Sequence, residues 1–165
     1  MAREKDKERF EKGDKMIEFG RVWRIFEVER REGRRILFFR PFFKTTDREI
    51  TGSIPEKNVR MAGMRRPSSK ERIKELLGKL AKEKGEEREM GKIEAESVLK
   101  ENDLKRTIWL LQVLKREKKR SPEEFHKKRA VFERAMNSLH EETAASFNFS
   151  LKKAQGKVEE AWTER

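Results

Sequence analysis

The sequence predicts an α+β protein, a small β module followed by a helical body. Two observations carry this. β-branched and aromatic residues crowd into Val22–Val28 and Ile36–Phe43 on either side of a charged break at Glu32-Gly33, which is a hairpin pattern. After Pro67 the apolar residues recur at helical spacing.

In chain order, Met1–Lys12 reads as a solvated tail and Gly13-Asp14 as a turn. Lys15–Phe19 is expected to form a short strand. In the next strand Trp23 and Ile25 should share one face, and Val22, Phe26 and Val28 the other. The hairpin loop is expected to exceed two residues. Pro41 marks an edge or bulge, and Lys44–Asp47 is a polar loop. Glu49–Ile54 reads as a third clear strand with Ile50 and Ile54 on one face, and Asn58–Met61 as a last short one. Four or five such strands suggest a small SH3- or Tudor-like barrel over residues 1–66.

Five helices are expected in residues 67–165. Ser68 with Glu71 makes a capping box ahead of Ile73, Leu76, Leu77 and Leu80, and Gly85 closes that helix. The second runs from about Glu86 to Lys100 with Met90, Ile93 and Val98 inward. Asn102 or Asp103 caps the third, which carries Leu104, Ile108, Leu111 and Leu114. Ser121-Pro122-Glu123-Glu124 opens the fourth, whose buried face is Phe125, Phe132, Met136 and Leu139. The fifth starts near Ser150, with Leu151, Ala154, Val158, Ala161 and Trp162 inward.

The balance of 43 Lys+Arg against 31 Asp+Glu leaves a net charge of +12, which favours a polyanionic partner. Hydrophobic residues make up only 34%, so the core should be thin. No cysteine is present, which excludes disulfides and Cys-based zinc sites. No apolar run reaches the ~18 residues that span a bilayer. The N-terminus lacks the apolar stretch of a secretory signal. A cytoplasmic, nucleoid-associated monomer without membrane contact is expected.

No nucleophile–base pair, phosphate loop or dinucleotide fingerprint can be assembled, so an enzyme and a cofactor are not expected. His126 and His140 lie too far apart on one helix for a metal pair. Basic residues concentrate at Arg30-Arg31 with Arg34-Arg35, and at Lys115-Arg116 with Lys118-Lys119-Arg120, running into Lys127-Lys128-Arg129. The second group could meet a phosphate backbone. Its alternative is a solvated face with pairs such as Glu124–Lys128. Trp23, Trp109 and Trp162 read as core.

The order of motifs resembles one family. Phe10-x-x-Gly13-Asp14-x-x-Ile17, Gly20-x-Val22-x-x-Ile25, Glu29 and Gly33 precede an aromatic strand. Ile54-Pro55-x-x-Asn58 and Gly63-Met64-Arg65 follow, then Val98-Leu99-Lys100-x-Asn102 and Val158-Glu159-Glu160-Ala161-Trp162. Across residues 10 to 163 this is similar to the CarD/CdnL bacterial transcription regulators, whose RNA-polymerase-interacting domain is shared with transcription-repair coupling factors. The resemblance implies a barrel that docks by an exposed strand on the polymerase β-subunit lobe. It also implies a helical part that holds promoter DNA at the upstream edge of the bubble, stabilising the open complex. It points to Glu29, Arg30, Thr51 and Ser53 for the polymerase. For DNA the expected contacts are Arg88 and Lys92, together with the basic run's Lys115, Arg116, Lys118, Lys119 and Arg120. The sequence departs from the family pattern where a wedging tryptophan is expected: Gly85–Met90 holds no aromatic, and Arg88 falls nearest. Two other readings stand beside this one. They are a polymerase adaptor without useful DNA contact, and an RNA- or ribosome-binding KOW-type protein.

Overall fold

A computed structural model describes residues 9–43, 50–82 and 88–163. The β part is a four-stranded antiparallel sheet in the order β1 (Lys15–Glu18), β2 (Arg21–Arg31), β3 (Arg34–Pro41), β4 (Gly52–Pro55). The sheet is open. An isolated bridge, Ile17–Arg65, returns the chain to the outer edge of β1. Residues Glu56–Asn58 form a 3-10 turn, and no strand forms at Asn58–Met61. Val59 N–H closes onto the Glu56 carbonyl, and the chain turns where a strand was expected.

The hairpin is tighter than expected. Arg31 pairs with Arg34, which leaves only Glu32 and Gly33 in the loop, at φ 49° and 74°. Two positive φ values mark the type I′ turn that matches strand twist. The β1–β2 turn has the same form, with Phe19 at φ 48° and Gly20 at 75°.

A bulge between Ile25 and Glu27 changes the face pattern of β2. The extra residue is Phe26, so Val28 joins Trp23 and Ile25 on the core side instead of Val22. That core holds Met16, Leu37, Phe39 and Met64, with the Phe39 ring edge-on to Trp23 at 5.3 Å. Gly52 lets this ring cross β4, since a Cβ there would stand 2.6 Å from it. Ile50 and Ile54 do not share a burial state: Ile50 is exposed, and Ile54 packs on the core. The expected loop Lys44–Asp47 and the closing Gly85 lie outside the described residues.

Among the described residues six helices follow, not five: α1 (Lys70–Lys82), α2 (Lys92–Lys100), α3 (Leu104–Arg120), α4 (Pro122–Lys127), α5 (Arg129–Phe147) and α6 (Leu151–Thr163). Ser69, not Ser68, caps α1 by accepting from Arg72 N–H at 3.1 Å. Asp103 caps α3 through Arg106 N–H at 2.9 Å. Helix α2 starts later than expected, at Lys92, and its phase turns Ala95 and Val98 inward and leaves Ile93 82% exposed. The expected fourth helix is split at Lys128, whose side chain turns into the core.

The helical core is centred on Leu76, Leu110, Leu111, Leu114 and Leu139. Each such side chain contributes about 1.5–3 kcal/mol on burial. A third apolar cluster, Ile17, Val22 and Ala145 with Phe42 and Phe43, joins sheet to helices. Among the described residues no helix is long and apolar enough to cross a membrane.

Candidate interaction surfaces

Polar residues fix the sheet to the helices. Asn102 is buried, and both ends of its amide are bonded: Nδ2 donates to the carbonyls of Ile17 and Gly63 at 2.9 and 2.8 Å, and Oδ1 accepts from Gly20 N–H at 3.2 Å. Arg65 donates to the Asn102 carbonyl and, bidentate, to Glu142 on α5. Lys15 Nζ donates to the Ala145 carbonyl at 2.9 Å; its pKa is held below the ordinary lysine value by burial and then by Arg24. The sheet is thereby held at the C-terminal half of α5.

That contact covers the outer face of the sheet over Ile17 and Val22 and leaves the rest open. On the open part Phe26 and Phe38 lie half-buried, ring centroids 6.4 Å apart. The Arg40 guanidinium sits over Phe26 at 5.3 Å and that of Arg31 over Phe38 at 5.6 Å. Register puts Ser53 beside Phe38 on this face, and Glu29 two residues from Glu27, the other partner of Phe38. Thr51, exposed, precedes β4. Among the described residues no strand pairs with the outer side of β4.

Of the four residues expected at a polymerase contact, Glu29, Ser53 and Thr51 therefore gather. Arg30 does not join them. It alternates with Glu29 and stands in the row of Arg35, which points back to the Phe10 carbonyl. Arg31 takes its place, paired to Glu29 at 2.7 Å. The sequence names Arg31 only within a basic run and does not bring it to the Phe26–Phe38 pair, because the Phe26 bulge displaces the alternation by one residue.

The expected helical patch divides. Trp109, Arg116 and Arg120 recur along one face of α3, with Arg106 one turn before Trp109. Arg88 and Arg106 both lie over the Trp109 ring, at 5.7 and 4.5 Å. Trp109 is half-buried and not simply core. Arg120 reaches the Arg88 carbonyl at 3.3 Å. Lys92, Lys118 and Lys119 are exposed nearby in sequence. Arg88 is also ion-paired to Glu94.

Lys115 leaves the patch. Its ammonium donates to the Trp162 carbonyl at 2.7 Å and lies 4.4 Å over the Trp162 ring, and burial, then Lys119, keeps its pKa below the usual lysine value. Lys128 leaves it too, buried against Glu117 at 2.6 Å. The pair expected between Glu124 and Lys128 forms instead between Glu124 and Lys127, at 2.9 Å. No family model matches the chain, and no curated protein matches it.

Proposed function

We propose that this chain is a non-enzymatic, CarD/CdnL-like transcription regulator that binds RNA polymerase through its sheet and promoter DNA through its helical part. One observation carries the reading. Ile17, Gly20, Gly63, Arg65 and Asn102, which belong to motifs far apart in sequence, meet in one hydrogen-bonded junction. An ordered motif set whose members close on each other has a physical reason for its order. In this reading the barrel-like module is the open sheet with its Arg65 bridge.

The polymerase β lobe takes the β4 edge, by strand addition, together with the Arg31–Phe38 face. DNA meets Arg88, Lys92, Arg116, Lys118, Lys119 and Arg120 through its phosphates. The withdrawal of Lys115 and Lys128 into the fold favours a second reading, an adaptor that keeps the polymerase contact alone.

Two measurements on the full chain decide. In a pull-down with the polymerase β lobe, Arg31→Glu should weaken capture more than Arg30→Glu; no capture by the unmodified protein rejects the reading. With promoter DNA present, charge reversal at Lys118, Lys119 and Arg120 should shorten open-complex lifetime. Unchanged lifetime with intact capture selects the adaptor.

A further inference from the structure

A cleft of about 780 Å³ opens between the β1–β2 turn and helices α2, α5 and α6. His140 lines it, 9% exposed, and among the described residues neither of its two buried ring nitrogens has a hydrogen-bond partner. A buried polar group without a partner is costly, and a neutral imidazole offers one donor and one acceptor. Burial holds the His140 pKa below its ordinary value, against the pull of Glu159, which favours the neutral ring.

Phe19 stands at the mouth. It is 64% exposed and holds φ 48°, a left-handed conformation that a bulky side chain rarely adopts. An exposed ring kept at a strained turn position points to use of the ring. Arg21 and Arg134 stand on the walls, with Leu99 and Leu151 as apolar surface. Arg134 has a long ion pair to Glu96, at 3.8 Å, and the Glu141 carboxylate accepts from Val22 N–H at 3.2 Å with Arg21 close enough to act on its charge.

We propose that this cleft binds a small planar anion, an aromatic or heteroaromatic ring carrying a carboxylate or phosphate. The ring stacks on Phe19, a turn of the His140 ring brings one of its solvent-closed nitrogens to the ligand as the polar contact, and Arg21 and Arg134 take the charge in place of their carboxylate neighbours Glu141 and Glu96. The site is separate from the polymerase- and DNA-facing surfaces and stands whether or not that reading holds.

Calorimetric titration of the full chain with indoleacetate and with adenosine monophosphate distinguishes an aromatic acid from a nucleotide. At least one should bind saturably, and Phe19→Gly and His140→Phe should each weaken it about tenfold. Glycine takes the positive φ without strain, so Phe19→Gly decides alone should His140→Phe misfold. The proposal is overturned if neither probe binds, if Phe19→Gly binds as well as the parent, or if inorganic phosphate competes as effectively as the ringed probes.

Discussion

The Arg65 guanidinium holds the Glu142 carboxylate by two hydrogen bonds, at 2.7 and 2.8 Å, while the Glu142 side chain is only 3% exposed. The same carboxylate accepts from Ser68 N–H at 2.8 Å, so the chain leaving the sheet is tied to α5 at two points. Arg65 is 29% exposed and can be hydrated where Glu142 cannot. Loss of the two partners should therefore be unequal. Arg65→Met leaves a buried carboxylate and should cost about 3 kcal/mol. Glu142→Gln should cost less, about 1–2 kcal/mol, because the glutamine oxygen can still accept from Ser68. Urea unfolding of both variants checks the order, and equal costs would contradict it.

Gly20 is fixed by two separate constraints. Its φ is +75°, and a Cβ built on it would stand 2.3 Å from Ser138 Cβ on α5. Gly20→Ala should destabilise by about 2 kcal/mol or more, from the strained turn and the clash together. Adding Ser138→Gly removes the clash and not the strain, so the double variant should recover part of the loss. Full recovery would mean that the backbone conformation costs nothing here.

The sequence made the helical stripes of α1 and α3 legible because each repeats over several turns, and it made the sheet legible because aromatic and β-branched residues bracket Gly33. It did not show the Phe26 bulge, since one inserted residue alters no composition and changes only which side chains face inward. The two-residue turn was missed because Glu32, at φ 49°, is not a usual left-handed residue. The basic run Lys115–Arg129 read as one patch, yet Lys115 and Lys128 each find a partner distant in sequence, Trp162 and Glu117. Charge count cannot tell a solvated lysine from one folded into a joint. For His140 the sequence shows only that His126 is too distant to share a metal; that its ring nitrogens lack a partner among the described residues is a property of packing alone.

Lys128 and Glu117 form a buried pair at 2.6 Å, with side chains 4% and 3% exposed, and Lys128 also donates to the Met90 carbonyl. The pair holds the α4–α5 break against α3 and against the segment that enters α2. Lys128→Met should cost about 3–5 kcal/mol, because the Glu117 carboxyl is left buried without its partner. Glu117→Leu added to it should restore much of the loss, since an apolar pair can fill the same space. Thermal melting of the single and double variants checks this, and a double variant no better than the single would show that the Met90 contact, not the ion pair, holds the joint.

His140 sets a pH dependence of known sign. Its folded pKa lies below the ordinary 6.5, chiefly through burial, with Glu159 acting the other way. Below about pH 6.5 the unfolded chain takes up the proton more readily than the fold does. The His140 contribution is thus complete above that pH and is lost as the pH falls through the folded value. Glu141, its neighbour in the chain, runs oppositely. Burial raises its pKa above 4.5 in spite of the Val22 N–H and Arg21, so its contribution is complete below pH 4.5 and is lost as the pH rises through the folded value. The two are separated by difference curves of unfolding free energy against pH. Parent minus His140→Phe should be level above pH 6.5 and fall on acidification. Parent minus Glu141→Gln should fall as the pH rises from 4.5. A His140 difference curve that stays level down to pH 5 would mean that the imidazole protonates as easily in the fold as in the open chain.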